Sequence, residues 1–192
     1  MIKPIILEND RVRLSPLTLD NYENLQPVAA EHKLVQYSPS DIESPAALKA
    51  YVEIALDQQK QRFSLPFIIY DKQARAFAGC TRYMNIDHKN KVLEIGSTWI
   101  GKKFQGTGLN AQMKYLLLNY AFNSLGFEKV SFRIDERNLP SRKAVEKLGA
   151  ILEGILRKNV YLLDGYKRNT CCYGILKNEW ENFHNPVKTT KK

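Results

Sequence analysis

Cysteine and histidine are scarce in this sequence, which has three of each in 192 residues. Cys80 stands alone and Cys171 is followed directly by Cys172, so the spacing indicates neither a disulfide framework nor a metal site. The histidines, at positions 32, 88 and 184, show no ligand spacing either. We therefore expect no metal, no cysteine–histidine nucleophile, and a reducing compartment, the cytoplasm.

Long apolar runs and biased segments are also absent. No stretch approaches the roughly 18 consecutive apolar residues of a membrane-spanning helix, and the N-terminus lacks the apolar region of a signal peptide. Without repeats or low-complexity linkers, the chain is expected to form one domain over residues 1–183. The lysine-rich residues 184–192 are expected to be a basic, disordered tail.

Acidic residues are few in the second half of the chain. Residues 1–96 contain 12 basic and 12 acidic residues, whereas residues 97–192 contain 17 basic and 8 acidic ones, which gives the net charge of +9. An excess of positive charge attracts anionic ligands. No nucleic-acid-binding motif accompanies the charge, so nucleic acid is not the expected partner.

The strongest signal is a strand, a glycine loop and a helix between residues 91 and 123. Residues 92–100 are rich in β-branched and aromatic side chains, which predicts a strand. Gly106 and Gly108 allow a sharp turn and a close approach to a ligand. From Leu109 to Asn123 the apolar spacing becomes helical. Free N–H groups at a helix N-terminus bind anions, so the loop predicts a phosphate or pyrophosphate site.

Spacing separates the families that place glycine loops before helices. A Walker loop requires lysine where Thr107 stands, so that class is excluded. The dinucleotide pattern G-x-G-x-x-G/A is met by residues 106–111, and Asp135 is placed to bind a ribose. Only 57 residues follow Asp135, too few for the remaining units of a doubly wound sheet. A nucleotide-dependent oxidoreductase is therefore only an alternative interpretation.

A third pattern, Q/R-x-x-G-x-G/A, matches Gln105-Gly-Thr-Gly-Leu-Asn110 except at the last position, where asparagine replaces glycine or alanine. Upstream lies Glu94-Ile-Gly-Ser-Thr-Trp-Ile, and downstream an N-x-x-S…LGA segment runs from Asn138 to Ala150. Together these segments resemble the GNAT superfamily of acetyl-CoA-dependent N-acetyltransferases. The resemblance covers roughly residues 11–180, and its ending is similar to the RimJ/RimL-like branch.

The resemblance implies that acetyl-CoA is the cosubstrate, with its phosphates on the loop. Lysines beside the loop add positive charge, and backbone N–H groups of residues 98–100 bind the thioester carbonyl. The implied contact residues are Thr98, Trp99, Ile100, Lys102, Lys103, Gln105, Gly106, Thr107, Gly108, Leu109, Asn110 and Asn138.

Glu94 is the candidate general base. By alternation along the strand it shares a face with Gly96 and Thr98. Partial burial would raise the pKa of its carboxyl toward a useful value, and the base acts directly or through a water. The alternative role for Glu94 is a structural salt bridge with an arginine.

Asn138 and Ser141 open a helix after a predicted strand. Their spacing predicts Asn138 as N-cap, with Ser141 in the first turn. The resemblance implies further roles: Asn138 contacts the pantetheine arm, and the Ser141 hydroxyl is the general acid for the departing thiolate. The alternative acids are Tyr161, Tyr166 and Tyr173.

The predicted fold class is α+β, with a mixed, mostly antiparallel sheet and helices on both faces. We expect an N-acetyltransferase that transfers an acetyl group directly to a primary amine in a ternary complex. The acceptor is a protein N-terminal α-amine or a small amine or amino acid, and the chain is a monomer or a homodimer. A non-catalytic module that binds coenzyme A or RNA is the second alternative.

Overall fold

An eight-stranded sheet runs through the centre of the protein. The computed structural model describes residues 5–184, so all but the first residue of the predicted tail lies outside the described residues. The strands are β1 (Leu7–Glu8), β2 (Val12–Pro16), β3 (Leu65–Asp71), β4 (Ala76–Asp87), β5 (Val92–Ile100), β6 (Lys129–Asp135), β7 (Ile151–Tyr161) and β8 (Lys167–Leu176). Their spatial order is β1-β2-β3-β4-β5-β6-β8-β7.

Five α-helices within the described residues connect or follow these strands. They are α1 (Gln26–Ala29), α2 (Pro45–Lys60), α3 (Leu109–Asn119), α4 (Leu139–Glu146) and α5 (Lys177–His184). The helix predicted from Leu109 to Asn123 ends its α-helical part at Asn119 and continues as a π-helical turn, Tyr120–Ser124. None of the helices within residues 5–184 has the length and apolar character needed to cross a membrane.

The helices cover both faces of the sheet, as predicted. On β4, Arg82 Nε donates to Tyr51 Oη of α2, while the neighbouring Tyr83 Oη donates to the Leu117 carbonyl of α3. Because adjacent strand residues point to opposite sides, α2 and α3 lie on opposite faces. We call these two sides the α2 face and the α3 face.

The helix α4 lies on the α3 face. Phe132 of β6 contacts Lys114 of α3, and its strand partner Tyr173 contacts Arg142 of α4.

The pairing of β5 with β6 is short. These two strands are parallel, and three residue pairs join them, Val92–Glu94 with Lys129–Ser131. The other neighbouring strands pair in the antiparallel direction. Beyond the three pairs β5 continues to Ile100 and β6 to Asp135 without pairing to each other. The two strands therefore separate, and we call the gap between them the splay.

A β-bulge in β5 changes which residues face which helix. The register between β4 and β5 shifts between Cys80 and Arg82, and Ser97 has a φ of 46°. A bulge inserts one extra residue and so reverses the alternation beyond it. The prediction that Thr98 shares a face with Glu94 is therefore wrong: Thr98 Oγ1 lies 2.8 Å from Thr81 Oγ1 on the α3 face.

Candidate active site

A cavity of about 410 Å³ occupies the splay. Its lining comes from both faces of the sheet, with residues of α2 and β4 on one side and of α3 and α4 on the other. Six of the residues predicted from the sequence meet in it, namely Glu94, Thr98, Trp99, Asn110, Asn138 and Ser141. Segments separated by almost fifty residues in the chain therefore contribute to one site.

The glycine loop is built to present backbone N–H groups to a ligand. Gly106 and Gly108 have φ values of 73° and 86°, which other residues rarely adopt. A Cβ at either position would meet no protein atom within 4 Å and would project into open space. Gly108 is the N-cap of α3 and has no side chain to satisfy the first-turn N–H groups. This geometry fits a phosphate group.

The polar and charged side chains around the loop have separate tasks. Gln105 Nε2 donates to the Ile100 carbonyl, and Thr107 Oγ1 donates to the Phe104 carbonyl, so both fix the loop. Lys102 Nζ donates to the His32 carbonyl at 2.9 Å. Lys103 is exposed, and its ammonium lies 4.8 Å from the Phe104 ring centroid.

Three predicted contact residues offer only their backbone to a phosphate or thioester. The side chains of Ile100 and Leu109 belong to the hydrophobic core. Trp99 is also in the core, and its Nε1 donates to Tyr51 Oη at 3.3 Å. Sequence reasoning missed Arg11, whose guanidinium contacts Thr107 Oγ1 at 3.2 Å beside the loop. No spacing in the sequence connects Arg11 to a loop almost a hundred residues away.

Glu94 lies in the cavity on the α2 face and is 8% exposed. Its Oε2 accepts from Asn85 Nδ2 at 3.0 Å and lies 3.4 Å from Arg133 Nε. Burial raises the pKa of the Glu94 carboxyl, while Asn85 and Arg133 act in the opposite direction. A buried carboxylate with a raised pKa that faces a cavity has the properties of a general base. The salt bridge predicted as the alternative is present as well.

Lys114 of α3 is a cavity residue that sequence reasoning missed. It is 5% exposed, and its Nζ donates to Thr98 Oγ1 at 2.9 Å. Burial lowers the pKa of the Lys114 ammonium to about 7, and Glu94 opposes this effect. A signal for it existed, because Lys114 lies three and four residues before Leu117 and Leu118 on the apolar side of the predicted helix.

Asn138 and Ser141 occupy the helix positions predicted for them. The Asn138 side chain caps α4 by accepting from the Ser141 N–H at 3.2 Å. Both residues line the cavity. The predicted alternative acids, Tyr161, Tyr166 and Tyr173, do not line it, and Tyr173 Oη instead donates to Glu146 Oε1.

The cavity fits the pantetheine part of acetyl-CoA as well as the loop fits its phosphates. Asn110 Oδ1 is buried and has no hydrogen-bond partner among the described residues. Such an orphaned acceptor calls for a donor from a ligand, and the pantetheine arm carries two amide N–H groups. The asparagine that departs from the family pattern is thus matched to the chemistry of this ligand.

The alternative of an oxidoreductase finds no support in the structure. The carboxylate of Asp135 is bound by Arg137 through Nε at 3.1 Å and NH2 at 2.8 Å, so it is not free to bind a ribose. The sheet is mostly antiparallel, whereas the dinucleotide fold requires a parallel, doubly wound sheet. Within residues 5–184 no cluster of three or more histidine, cysteine or acidic residues is arranged to hold a metal.

Comparison with known proteins gives one family. Residues 11–151 match the model of the acetyltransferase (GNAT) domain. The "Putative ribosomal N-acetyltransferase YdaF" of Bacillus subtilis (strain 168) is 31% identical over 144 residues, which are 72% of this chain and 76% of the relative.

Two solved structures show the same fold. The "putative acetyltransferase" from T. thermophilus is 32% identical with a TM-score of 0.83, covering 95% of this chain and 94% of that one. Spermidine N-acetyltransferase from Vibrio cholerae, crystallised with CoA and spermine, is 17% identical with a TM-score of 0.75, covering 91% and 100%. The similarity to YdaF, which is named as a ribosomal N-acetyltransferase, is consistent with the predicted RimJ/RimL-like branch. The chain therefore belongs to the GNAT family of N-acetyltransferases, enzymes that take their acetyl group from acetyl-CoA.

Proposed function

We propose that the chain acetylates the α-amine of a peptide or of an amino-acid-like molecule, which binds on the α2 face of the splay. The observation that carries this proposal is the charge of the cavity. Of its described lining residues, Lys114, Arg133 and Arg168 are basic, and Glu94 and Asp135 are acidic. Arg137 binds both carboxylate oxygens of Asp135, whereas the contacts of Glu94 with Asn85 and Arg133 are both made by Oε2, so Glu94 is the carboxylate left to receive an ammonium group.

This charge distribution disfavours polyamines. A polyamine carries several ammonium groups and would meet more cations than carboxylates in the cavity. An α-amine with a carboxylate or acidic side chain nearby suits the site better, because the amine faces Glu94 while the anionic group faces Arg133 or Arg168. Arg168 is held in place by the Tyr37 carbonyl, to which its NH1 donates at 2.7 Å.

Glu94 prepares the acceptor. Its carboxylate removes a proton from the acceptor ammonium, directly or through a water, so that the neutral amine can attack. Asn85 supports this role with a left-handed backbone (φ 50°), a conformation that asparagine tolerates, and aims its Nδ2 at the carboxylate.

The α3 face holds the cosubstrate. The first-turn N–H groups of α3 and the loop glycines bind the phosphates, and Asn110 and Asn138 bind the pantetheine arm. Bound there, acetyl-CoA supplies an activated acetyl thioester. Ser141 donates a hydrogen bond to the sulfur, and backbone N–H groups after the β5 bulge bind the thioester carbonyl. Transfer is direct, in a compartment that we expect to be the cytoplasm.

An acceptor screen tests the proposal. Purified protein with acetyl-CoA is offered N-terminal peptides of ribosomal proteins, free amino acids and spermidine, and release of free thiol is measured. The YdaF name makes ribosomal peptides the first choice. We expect turnover with α-amines and none with the same peptides blocked at the N-terminus. Spermidine as the best acceptor would contradict the proposal.

A further inference from the structure

Lys114 is a buried cation. Neither the binding of acetyl-CoA nor the deprotonation of the amine, as proposed above, uses it. It extends from α3 into the splay, where its ammonium bonds Thr98 Oγ1 and lies 5.6 Å from the centroid of the Phe132 ring. An ammonium has three N–H donors, and Thr98 uses one of them. Within residues 5–184 the ion pairs found at 4.0 Å or less do not include Lys114.

An unpaired buried charge is costly and calls for a ligand. Desolvating an ammonium without a counter-ion destabilises the folded protein. Methionine or leucine at this position would pack against Phe132 without that cost. The position of Lys114 on the cavity wall therefore indicates that the charge serves what enters the cavity.

The β5 bulge is what gives Lys114 its anchor. Without it, Thr98 would point to the α2 face, out of reach of α3. With it, the hydroxyls of Thr98 and Thr81 form a pair 2.8 Å apart, and Thr98 Oγ1 accepts from Lys114 Nζ. This pair fixes the ammonium on the same face as Asn138 and Ser141, the residues assigned to the coenzyme arm.

We propose that Lys114 donates the proton to the departing sulfur of coenzyme A, while Ser141 orients that sulfur by a hydrogen bond. This inference rests on the proposed acetyl transfer. A serine hydroxyl is a far weaker acid than a thiol, whose pKa is about 8.5, so Ser141 is poorly suited to supply the proton. An ammonium supplies both a proton and a positive charge where negative charge develops.

The proton balance closes over one turnover. Glu94 takes one proton from the acceptor ammonium, and the bond from nitrogen to the acetyl carbon forms as the carbon–sulfur bond breaks. The electron pair of that bond stays on sulfur, and Lys114 Nζ gives sulfur its proton and becomes a neutral amine. The acylated nitrogen then loses its second proton, which recharges Lys114, and Glu94 releases its proton to water.

The ionisation of Lys114 suits such a cycle. Its pKa of about 7, lowered by burial, allows both the ammonium and the amine near neutral pH. Glu94 from β5 opposes the shift. The other ionisable side chains that line the cavity are Arg133 and Asp135 from β6 and Arg168 from β8, and Tyr83 of β4 lies on the same face of the sheet as Lys114.

The ionisation of bound coenzyme A tests the proposal without turnover. The ultraviolet absorbance of the thiolate is titrated with coenzyme A bound to the wild type, Lys114→Met, Lys114→Arg and, as a matched control, Lys60→Met at the exposed end of α2. A cation beside the sulfur should lower the pKa of the bound thiol by about 1 pH unit, which leaves the thiol no more acidic than the Lys114 ammonium. We expect this in the wild type, Lys114→Arg and Lys60→Met, and a value close to that of the free thiol in Lys114→Met.

A wild-type protein that binds coenzyme A without shifting the thiol pKa overturns the role of Lys114 and leaves the proposed function standing. That measurement needs no variant and remains decisive if Lys114→Met fails to fold. Failure of the wild type to bind coenzyme A would overturn the proposed function as well.

Measurements of kcat distinguish proton donation by Lys114 from a role of Lys114 in packing. At pH 7, Lys114→Met should lower kcat by roughly 10²–10⁴-fold with little change in the KM for acetyl-CoA, and Ser141→Ala should lower it less. The wild-type kcat should fall at alkaline pH as Lys114 loses its proton, and Lys114→Met should lack this decline. A Lys114→Met enzyme that retains the decline, or an acetyl group found on Lys114 by mass spectrometry, would contradict the proposal.

Discussion

The two faces of the splay use different parts of the polypeptide for binding. On the α3 face the proposed cosubstrate site is mainly backbone, formed by the glycine loop, the start of α3 and the capped start of α4. On the α2 face the proposed acceptor site consists of side chains such as Glu94, Arg133 and Arg168. A backbone site depends on chain geometry, whereas a side-chain site changes with single substitutions. Changes on the two faces should therefore have different effects, on cosubstrate affinity or on rate and acceptor choice.

The largest effect is expected on the α2 face. Glu94→Gln keeps the shape of the side chain but cannot accept the acceptor's proton, so kcat should fall by roughly 10²–10⁴-fold. Acetyl-CoA affinity, measured by calorimetry, should change little. The deficit relative to the wild type at the same pH should narrow as the pH rises, because more of the acceptor is already neutral.

The matched control for Glu94→Gln is Glu128→Gln, which removes an exposed carboxylate paired with Lys91. It should leave kcat and its pH profile unchanged. If a folded Glu94→Gln enzyme kept the wild-type kcat across the pH range, the base would lie elsewhere.

The second prediction concerns stability and compares the two buried charges. Glu94 has two polar partners, Asn85 and Arg133, whereas Lys114 bonds one hydroxyl, that of Thr98. With its pKa lowered from 10.5 to about 7, Lys114 reduces stability at any pH below 10.5, because folding must either bury its charge or remove its proton. That cost is complete below pH 7 and disappears as the pH rises toward 10.5, because the unfolded chain then holds the extra proton. Lys114→Met should thus be more stable than the wild type at pH 6.

The stability advantage of Lys114→Met should shrink by up to about 1.4 kcal/mol per pH unit between pH 7.5 and 9.5. Urea unfolding at a series of pH values measures it. Lys60→Met, which removes an exposed lysine, should show no such slope. A flat difference for Lys114→Met would mean that the ammonium is solvated or paired in the native protein.

The third prediction concerns the backbone site. Gly108→Ala should weaken acetyl-CoA binding by roughly 10–100-fold, the effect of losing one or two charge-assisted hydrogen bonds. The matched control is Gly126→Ala, since Gly126 has a similar φ of 72° and similarly open surroundings away from the cavity. Both variants should lose about 1–2 kcal/mol of stability from the left-handed backbone.

Calorimetric titration of both variants separates the two effects. Equal losses of affinity in Gly108→Ala and Gly126→Ala would show that backbone strain, rather than the approach of a phosphate, is responsible. We expect the loss of affinity in Gly108→Ala alone.

The smallest effect is expected for charge beside the loop. Lys103→Glu should weaken acetyl-CoA binding about 2–5-fold at low salt and less at high salt, as is usual for an exposed charge. Lys102→Met should have a smaller effect on affinity, because the Lys102 ammonium is bound to the His32 carbonyl. The reverse order would mean that Lys102 exchanges this contact for the phosphates.

The backbone site was largely predictable from the sequence, since its geometry restricts residue choice. Gly106 and Gly108 are required by positive φ, and Asn138 with Ser141 has the spacing of a capped helix start. The strand over residues 92–100 was predicted in the same way, from its β-branched and aromatic side chains. The end of α3 could not be predicted as well, because a π-helical turn keeps nearly the same apolar spacing as an α-helix.

The side-chain site was not predictable to the same degree. The bulge at Ser97 leaves no mark in the sequence, and it moves Thr98 to the opposite face from the one that alternation predicts. Lys114 lies on the apolar side of α3, and no role was predicted for it from the sequence. Arg168 reaches the cavity from β8 and Arg11 reaches the glycine loop from the start of the chain, and only the tertiary fold brings each of them to its place.

The short pairing of β5 with β6 has a consequence for amide hydrogen exchange. Past Glu94 and Ser131, amide protons that point into the splay have no strand opposite to receive them. They should exchange quickly while the cavity holds only water and slowly once a molecule with its own carbonyl groups fills it. The exchange rates of these few amides would then report occupancy of the cavity, and the bound cosubstrate would complete the sheet for as long as it stays.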